Sequence, residues 1–144
     1  MFTETNKFEY SGNLRNPAEL IKLLDETGAF FVSLDISERI VYGVRLVLEE
    51  VLSNIIVHGY HGNGGYVYVS ASVEEGRIRL QVKDRAQRFN PKVFIPHSLS
   101  SNLSCEWKVG GVGIRIIKEI SDKLEYIYEN GENCLLITKR LPEK

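Results

Sequence analysis

The sequence has few cysteines, no excess of charge of either sign and no long hydrophobic run. Its two cysteines, Cys105 and Cys134, are too few for a disulfide framework or a cysteine-based metal site. Lys and Arg number 18 and Asp and Glu 19, a formal net charge of −1, which excludes a strongly basic nucleic-acid-binding module. No apolar run approaches the ~20 residues that cross a bilayer, and residues 1–7 lack the regions of a signal peptide. We therefore expect a cytoplasmic protein that contacts neither membrane nor nucleic acid directly.

The composition is that of a soluble globular protein. Hydrophobic residues make up 43% and charged residues 26% of 144 residues, which suits one domain over residues 1–144. Residues 1–60 carry 5 basic and 9 acidic side chains, whereas residues 85–109 carry 4 basic and 1 acidic. This basic block shows no helical or strand periodicity and is too long for an ordinary connection. A block of this kind, at about residues 85–110, is therefore predicted to be either a functional lid or a disordered loop.

Two helices are predicted in the first half of the chain. Asn16 has the features of an N-cap, with Glu19 three residues later, and Gly28 is expected to end this first helix. A second, longer helix is expected after Ser37, because apolar residues recur at helical spacing to about His58.

Strands are predicted at residues 7–11 and 77–84, where apolar and polar residues alternate, and at residues 66–73, which are aromatic and β-branched. Two more are predicted at residues 124–128 and 134–138. The last two flank Asn130-Gly131, a dipeptide that favours a two-residue hairpin turn. A third helix is expected to start at residues 110–113, after the lid. This order predicts an α+β fold, a two-layer sandwich of a mixed, mostly antiparallel sheet with helices on one face.

Polar residues interrupt the apolar pattern of the second helix. Glu50, Asn54 and His58 are spaced i, i+4, i+8 and so lie along one face of an ideal helix. The adjacent Glu49 lies about 100° around the helix, so only Glu50 shares the face with Asn54. A solvated face would explain such residues, whereas a buried one would need polar partners. The spacing alone leaves both possibilities open.

Two further motifs follow along the chain. Asp84 ends an alternating strand, where a carboxylate can accept a hydrogen bond from an exocyclic amine such as that of adenine or simply form a turn. Gly110, Gly111 and Gly113 precede a helix, and backbone amides at a helix start suit phosphate groups. The sequence has no P-loop lysine motif. Each motif is weak alone, but the set is in the order of a nucleotide site.

As a set, these motifs resemble the N, G1 and G2 boxes of the GHKL, or Bergerat, ATP-binding fold. The matching elements are Glu50-x-x-x-Asn54 with His58-Gly59 after it, Asp84, and Gly111-x-Gly113. More narrowly, the chain resembles the anti-sigma-factor serine kinases of bacterial stress-response and sporulation switches, over nearly its whole length.

The resemblance implies ATP and Mg²⁺ as cofactors and assigns roles to individual residues. Glu50 would be the general base, Asn54 would be a Mg²⁺ ligand, and Asp84 would bind the adenine amine. The other positions that the resemblance places near the nucleotide are His58, Ala86, Lys108, Gly110, Gly111 and Gly113.

Ala86 is a departure from the family pattern, which usually has glycine two residues after the G1 aspartate. Glycine there permits a special backbone angle or a close approach to the nucleotide, and a methyl group is expected to obstruct either. Weakened ATP binding is therefore one expectation for this chain.

The resemblance implies a homodimeric anti-sigma factor that is also a serine kinase, with a sigma factor and a STAS-domain anti-anti-sigma protein as partners. The alternative is a GHKL-fold binding module that sequesters a regulatory partner without catalysis, which Ala86 favours. A third possibility is the detached ATPase domain of a histidine kinase. The argument against it is that no dimerisation helix with a phosphoacceptor histidine precedes residue 37.

Overall fold

A computed structural model of the protein describes residues 7–89 and 115–143. Its elements are β1 (Lys7–Leu14), α1 (Pro17–Ser33), α2 (Glu38–Asn54), β2 (Gly65–Glu74), β3 (Arg77–Asp84), β4 (Lys123–Glu129) and β5 (Glu132–Arg140). A π-helical turn, Ile55–Gly59, continues α2, and residues 115–120 form a third helical segment. Within the described ranges, no helix is long and apolar enough to span a membrane.

The five strands form one sheet in the order β1-β2-β3-β5-β4, in which every neighbouring pair is antiparallel. Buried side chains alternate along the strands, as at Val67, Val69 and Ala71 of β2, and pack with the helices in one core. The predicted α+β class with an antiparallel sheet is confirmed. The sheet of the described residues is wholly antiparallel rather than mixed.

Both hairpins have tight two-residue turns, and the turn at Asn130-Gly131 is the one predicted above. Glu75 and Gly76 connect β2 to β3 with φ angles of 53° and 75°, and Asn130 and Gly131 connect β4 to β5 with 55° and 77°. Two successive positive φ angles give a turn whose twist matches that of the flanking strands. The turns therefore fix the register of the two hairpins.

The first helix begins as predicted but continues further. The side chain of Asn16 accepts a hydrogen bond from the Glu19 backbone amide, and the Glu19 carboxylate accepts one from the Asn16 backbone amide, completing a capping box. The prediction that Gly28 ends the helix is wrong, because α1 runs to Ser33. Gly28 is buried, and a Cβ there would lie 3.7 Å from Val41 of α2, so its small size serves helix packing.

The second helix reaches the predicted region but changes geometry before its end. Ser37 caps it, accepting a hydrogen bond from the Ile40 backbone. Beyond Asn54 the turn widens, and the Tyr60 amide donates to the Ile55 carbonyl, five residues earlier, at 2.8 Å. Side chains after Asn54 are therefore no longer placed by α-helical spacing.

Candidate functional site

A pocket lies where the end of α2 approaches β3, β5 and β4. Its lining is mostly apolar and includes Val51, Ile55, Val82, Ile117 and Leu135. Counted with its mouth, which is open to solvent, the space within it is about 570 Å³. Small-molecule sites are commonly concave and mostly apolar, with a few polar groups that orient the ligand. The polar groups in this lining are therefore the first candidates for binding a ligand.

Among the described residues, Asp84 is the one carboxylate that lines this pocket. It is the last residue of β3 and only 5% exposed. Its Oδ1 accepts hydrogen bonds from the Ala86 amide and from Asn133 Nδ2, both at 2.9 Å, while Oδ2 has no hydrogen bond to any described residue. Burial raises the pKa of Asp84, and the bonds from Asn133 and Ala86 oppose that rise. One carboxylate oxygen is thus held by the protein and the other is left for a donor.

Asn133 joins Asp84 to the segment that follows it. Besides Asp84, its Nδ2 donates to the carbonyls of Ala86 at 3.3 Å and Gln87 at 3.1 Å. Its Oδ1 accepts from the Phe89 amide at 3.1 Å and from the Tyr126 hydroxyl. The side chain is 6% exposed and all its polar atoms are used. Asn133 therefore shapes the pocket wall made by residues 86–89.

Tyr60 holds the same segment from the other side. Its hydroxyl donates to the Tyr66 carbonyl at 2.7 Å and accepts from the Arg85 amide at 2.8 Å. A Cβ at Gly65 would lie 2.6 Å from the Tyr60 ring, so only glycine leaves room for it. Arg85 in turn stacks on the Tyr66 ring, 4.0 Å from its centre, and pairs with Glu132. The chain leaving Asp84 is thus fixed on both sides.

Ala86 fits its position without a strained backbone. Among the described non-glycine residues, positive φ angles occur at Asp35, His61, Glu75 and Asn130, not at Ala86. The expectation that alanine obstructs a special backbone angle is therefore wrong for this chain. Its methyl group lines the pocket and lies against Gly59, where an added Cβ would be 2.7 Å from it.

The polar residues predicted on α2 do not all reach the pocket. Asn54 lines it, and Glu50, one turn earlier, is half-buried outside the lining. Burial, and then the adjacent Glu49, raise the pKa of Glu50. His58 is buried at 6% exposure and is also outside the lining, because the π-helical turn separates it from the α-helical face.

Part of the predicted site lies outside the described residues. This applies to Lys108, Gly110, Gly111 and Gly113 and to lid residues 90–110. The sequence interpretation also missed Asn133, Tyr126 and Tyr60. For Asn133 a signal existed, since it alternates with Leu135 and Ile137 and so stands at a core position of β5.

Comparisons with known proteins show the family to which the chain belongs. The profile of the histidine kinase-like ATPase domain family matches residues 15–139. The chain is 27% identical to the anti-sigma F factor of Halalkalibacterium halodurans over 103 residues, 71% of this chain and 70% of the relative. It is 37% identical to that of Bacillus thuringiensis over 57 residues, 39% of each chain.

The fold also matches a solved structure at low sequence identity. A chain of the SiaB–SiaC complex from Pseudomonas aeruginosa superimposes with a TM-score of 0.67 at 14% identity, covering 94% of this chain and 90% of that one. At this identity the match concerns the fold alone, whereas the family profile covers most of the sequence. The chain belongs to the histidine kinase-like ATPase domain family.

Proposed function

We propose that the chain is an ATP- and Mg²⁺-dependent protein serine kinase that also acts as an anti-sigma factor. In this role it sequesters a sigma factor, phosphorylates a STAS-domain anti-anti-sigma protein on serine, and works as a homodimer in the cytoplasm. The observation that carries the proposal is the buried Asp84 carboxylate, which keeps one oxygen without a described hydrogen bond in an apolar pocket. The kinship with anti-sigma F factors supports the choice of partners.

The pocket has the chemistry that adenine requires. A flat, largely apolar base gains from burial against side chains such as Val82, Ile55 and Leu135. Its exocyclic amine can donate to Asp84 Oδ2. A base that carries a carbonyl at that place would meet a second acceptor and leave a buried carboxylate unsatisfied, which costs binding energy. Asp84 therefore selects an amino-substituted base.

The end of α2 supplies the groups for phosphoryl transfer. ATP bound with Mg²⁺ would supply the transferable phosphoryl group and the neutralising cation, and Mg²⁺ is commonly held by few protein oxygens together with phosphates. Asn54, in the pocket lining, would offer the amide oxygen. Glu50 would accept the proton of the serine hydroxyl, and its raised pKa makes it a stronger base than an ordinary carboxylate.

The remaining nucleotide contacts are assigned from the family motifs. Gly110, Gly111 and Gly113 would lie against the phosphates, and Lys108 would contribute a cation within the basic lid. His58, which is buried beside the pocket-lining Gly59, would support the end of α2 rather than contact the nucleotide directly.

The second candidate function is a binding module that sequesters a partner without catalysis. The observation in its favour is the Ala86 methyl group, which occupies space in the pocket lining where the family usually has glycine. On this alternative, ATP binds weakly or not at all, and Ala86→Gly restores binding.

Two measurements separate these functions. Calorimetry with ATP and Mg²⁺ should show binding by the wild type that changes little in Ala86→Gly. Incubation with labelled ATP, Mg²⁺ and the STAS protein encoded nearest the gene should transfer phosphate to serine, and Glu50→Gln should abolish the transfer. Absence of binding in the wild type together with its gain in Ala86→Gly would favour the binding module instead.

A further inference from the structure

Asn133 makes five hydrogen bonds to described residues, and all five partners line the pocket. Three run from Nδ2 to Asp84, Ala86 and Gln87, and two reach Oδ1 from Phe89 and Tyr126. It lies on β5, directly opposite Asp84 in the β3–β5 ladder. A single side chain therefore connects the pocket carboxylate to the backbone of three residues of the pocket wall and to the Tyr126 hydroxyl.

We propose that Asn133 is a positioning residue that turns Asp84 Oδ2 toward the pocket and so sets the preference for an amino-substituted base. This inference rests on the proposed nucleotide binding at Asp84. Asn133 acts through Asp84 and the wall of residues 86–89, not by carrying charge or reacting.

The amide orientation follows from its partners. The Phe89 backbone amide can only donate, so Oδ1 of Asn133 must face it. The Ala86 and Gln87 carbonyls can only accept, so the two hydrogens of Asn133 Nδ2 must face these carbonyls and Asp84 Oδ1. A serine or threonine would offer one donor and could not replace this set.

Holding Oδ1 frees Oδ2. The bonds from Asn133 Nδ2 and the Ala86 amide both reach Oδ1, which limits rotation of the carboxylate about its terminal bond. Without Asn133, the carboxylate can turn and offer either oxygen to the pocket wall. The exocyclic amine of the nucleobase would then meet a carboxylate oxygen that is no longer prepositioned, and the binding preference for an amino-substituted base would fall.

The charge state of Asp84 gives an independent readout. Glu132 on β5 raises the pKa of Asp84, whereas the Asn133 bond lowers it. In the part of the chain that the structure describes, the other titratable or charged groups near it include Tyr60 after α2, Tyr126 on β4 and Arg85 in the adjoining segment. Loss of Asn133 should therefore raise the Asp84 pKa further, because its charged form loses a donor.

The test compares Asn133→Ala with Ile137→Ala. Ile137 is a buried β5 residue on the same face but outside this pocket, so its variant controls for lost stability alone. Calorimetry with ATP and with inosine triphosphate, which lacks the amino group, gives the base preference. Carboxyl-carbon NMR of the nucleotide-free proteins gives the Asp84 pKa.

We expect Asn133→Ala to lose about tenfold of the wild-type preference for ATP over inosine triphosphate and to raise the Asp84 pKa. Ile137→Ala should change neither quantity. Tyr126→Phe, which keeps the fold but removes one bond to Asn133, should change both in the same direction and by less.

Two negative outcomes are distinguishable. If Asn133→Ala and Tyr126→Phe keep the wild-type base preference and Asp84 pKa, the positioning role is wrong while the proposed function stands. If the wild type binds neither nucleotide, the proposed function fails and the base preference fails with it.

Discussion

The methyl group of Ala86 and the α-carbon of Gly59 face each other so closely that a Cβ at position 59 would lie 2.7 Å from the Ala86 Cβ. Only one of the two positions can carry a side chain without a shift. Gly59 ends the π-helical turn after α2 and Ala86 begins the pocket wall, so the pair sets how closely these two parts of the site approach.

Gly59→Ala should therefore destabilise the protein by about 1–3 kcal/mol through overpacking. The second substitution, Ala86→Gly, should recover most of that loss, because it removes the methyl group that the new side chain meets. A double-mutant cycle by urea unfolding measures this coupling. Strictly additive effects of the two substitutions would contradict the contact.

Glu50→Gln should abolish phosphoryl transfer, whereas Glu49→Gln should retain it at neutral pH. Glu50 must be ionised to accept a proton, so the rate should fall as pH drops through its raised pKa. Because Glu49 contributes to that rise, Glu49→Gln should move the acid limb to lower pH. The pH–rate profile at low salt checks this, since Glu49 is exposed and salt screens its charge. An acid limb that Glu49→Gln leaves unchanged would mean that it does not report the ionisation of Glu50.

Asp84→Asn should weaken ATP binding at least tenfold. The amide NH₂ of the new side chain would face the exocyclic amine of adenine, and both groups are hydrogen-bond donors. The same change should stabilise the fold at pH 7 by up to about 1 kcal/mol. Folding raises the Asp84 pKa, which means that the folded state favours the protonated carboxyl group. The stabilisation from this protonated group is present below the pKa of the unfolded state and is lost as pH rises through the pKa of the folded state. Urea titrations at pH 7 and at pH ~4 should show that the stabilisation by Asp84→Asn is smaller in acid. An equal stabilisation at both pH values would contradict the idea that the buried charge of Asp84 opposes folding at pH 7.

Tyr60→Phe should cost about 1 kcal/mol of stability, since the Arg85 amide and the Tyr66 carbonyl both lose their partner. ATP affinity should also fall, because Arg85 directly follows Asp84. Tyr42→Phe is the matched control, as Tyr42 is 69% exposed on α2. Equal effects of Tyr60→Phe and Tyr42→Phe on unfolding and on ATP affinity would argue against a role of the Tyr60 hydroxyl in fixing the chain after Asp84.

The sequence predicted those features that depend on neighbours along the chain. Alternation placed Asp84 at a strand end, and the Asn130-Gly131 dipeptide predicted its turn. Gly28 was misread as a helix end because glycine also serves where helices pack closely. The role of Asn133 was missed because its bond to Asp84 spans 49 residues, and the pairing of β3 with β5 is set by the whole sheet.

The same π-helical turn that ends α2 explains why His58 departs from its predicted face. An i, i+4, i+8 series predicts one face only while the helix stays α-helical. The wider turn begins at Ile55, directly after Asn54. No local sequence pattern distinguishes such a turn from an α-helical one, whereas Glu50 and Asn54 precede it and keep their predicted spacing.

The sheet order has a consequence for the route by which the protein folds. The β2–β3 and β4–β5 hairpins close over two-residue turns, whereas the β3–β5 ladder joins Asp84 to Asn133 across most of the second half of the chain. Long-range pairing costs more chain entropy before contacts reward it, so the hairpins should form first and this ladder late. The pocket, which is built across that ladder, would then be among the last parts of the molecule to exist during folding and among the first to be lost on unfolding.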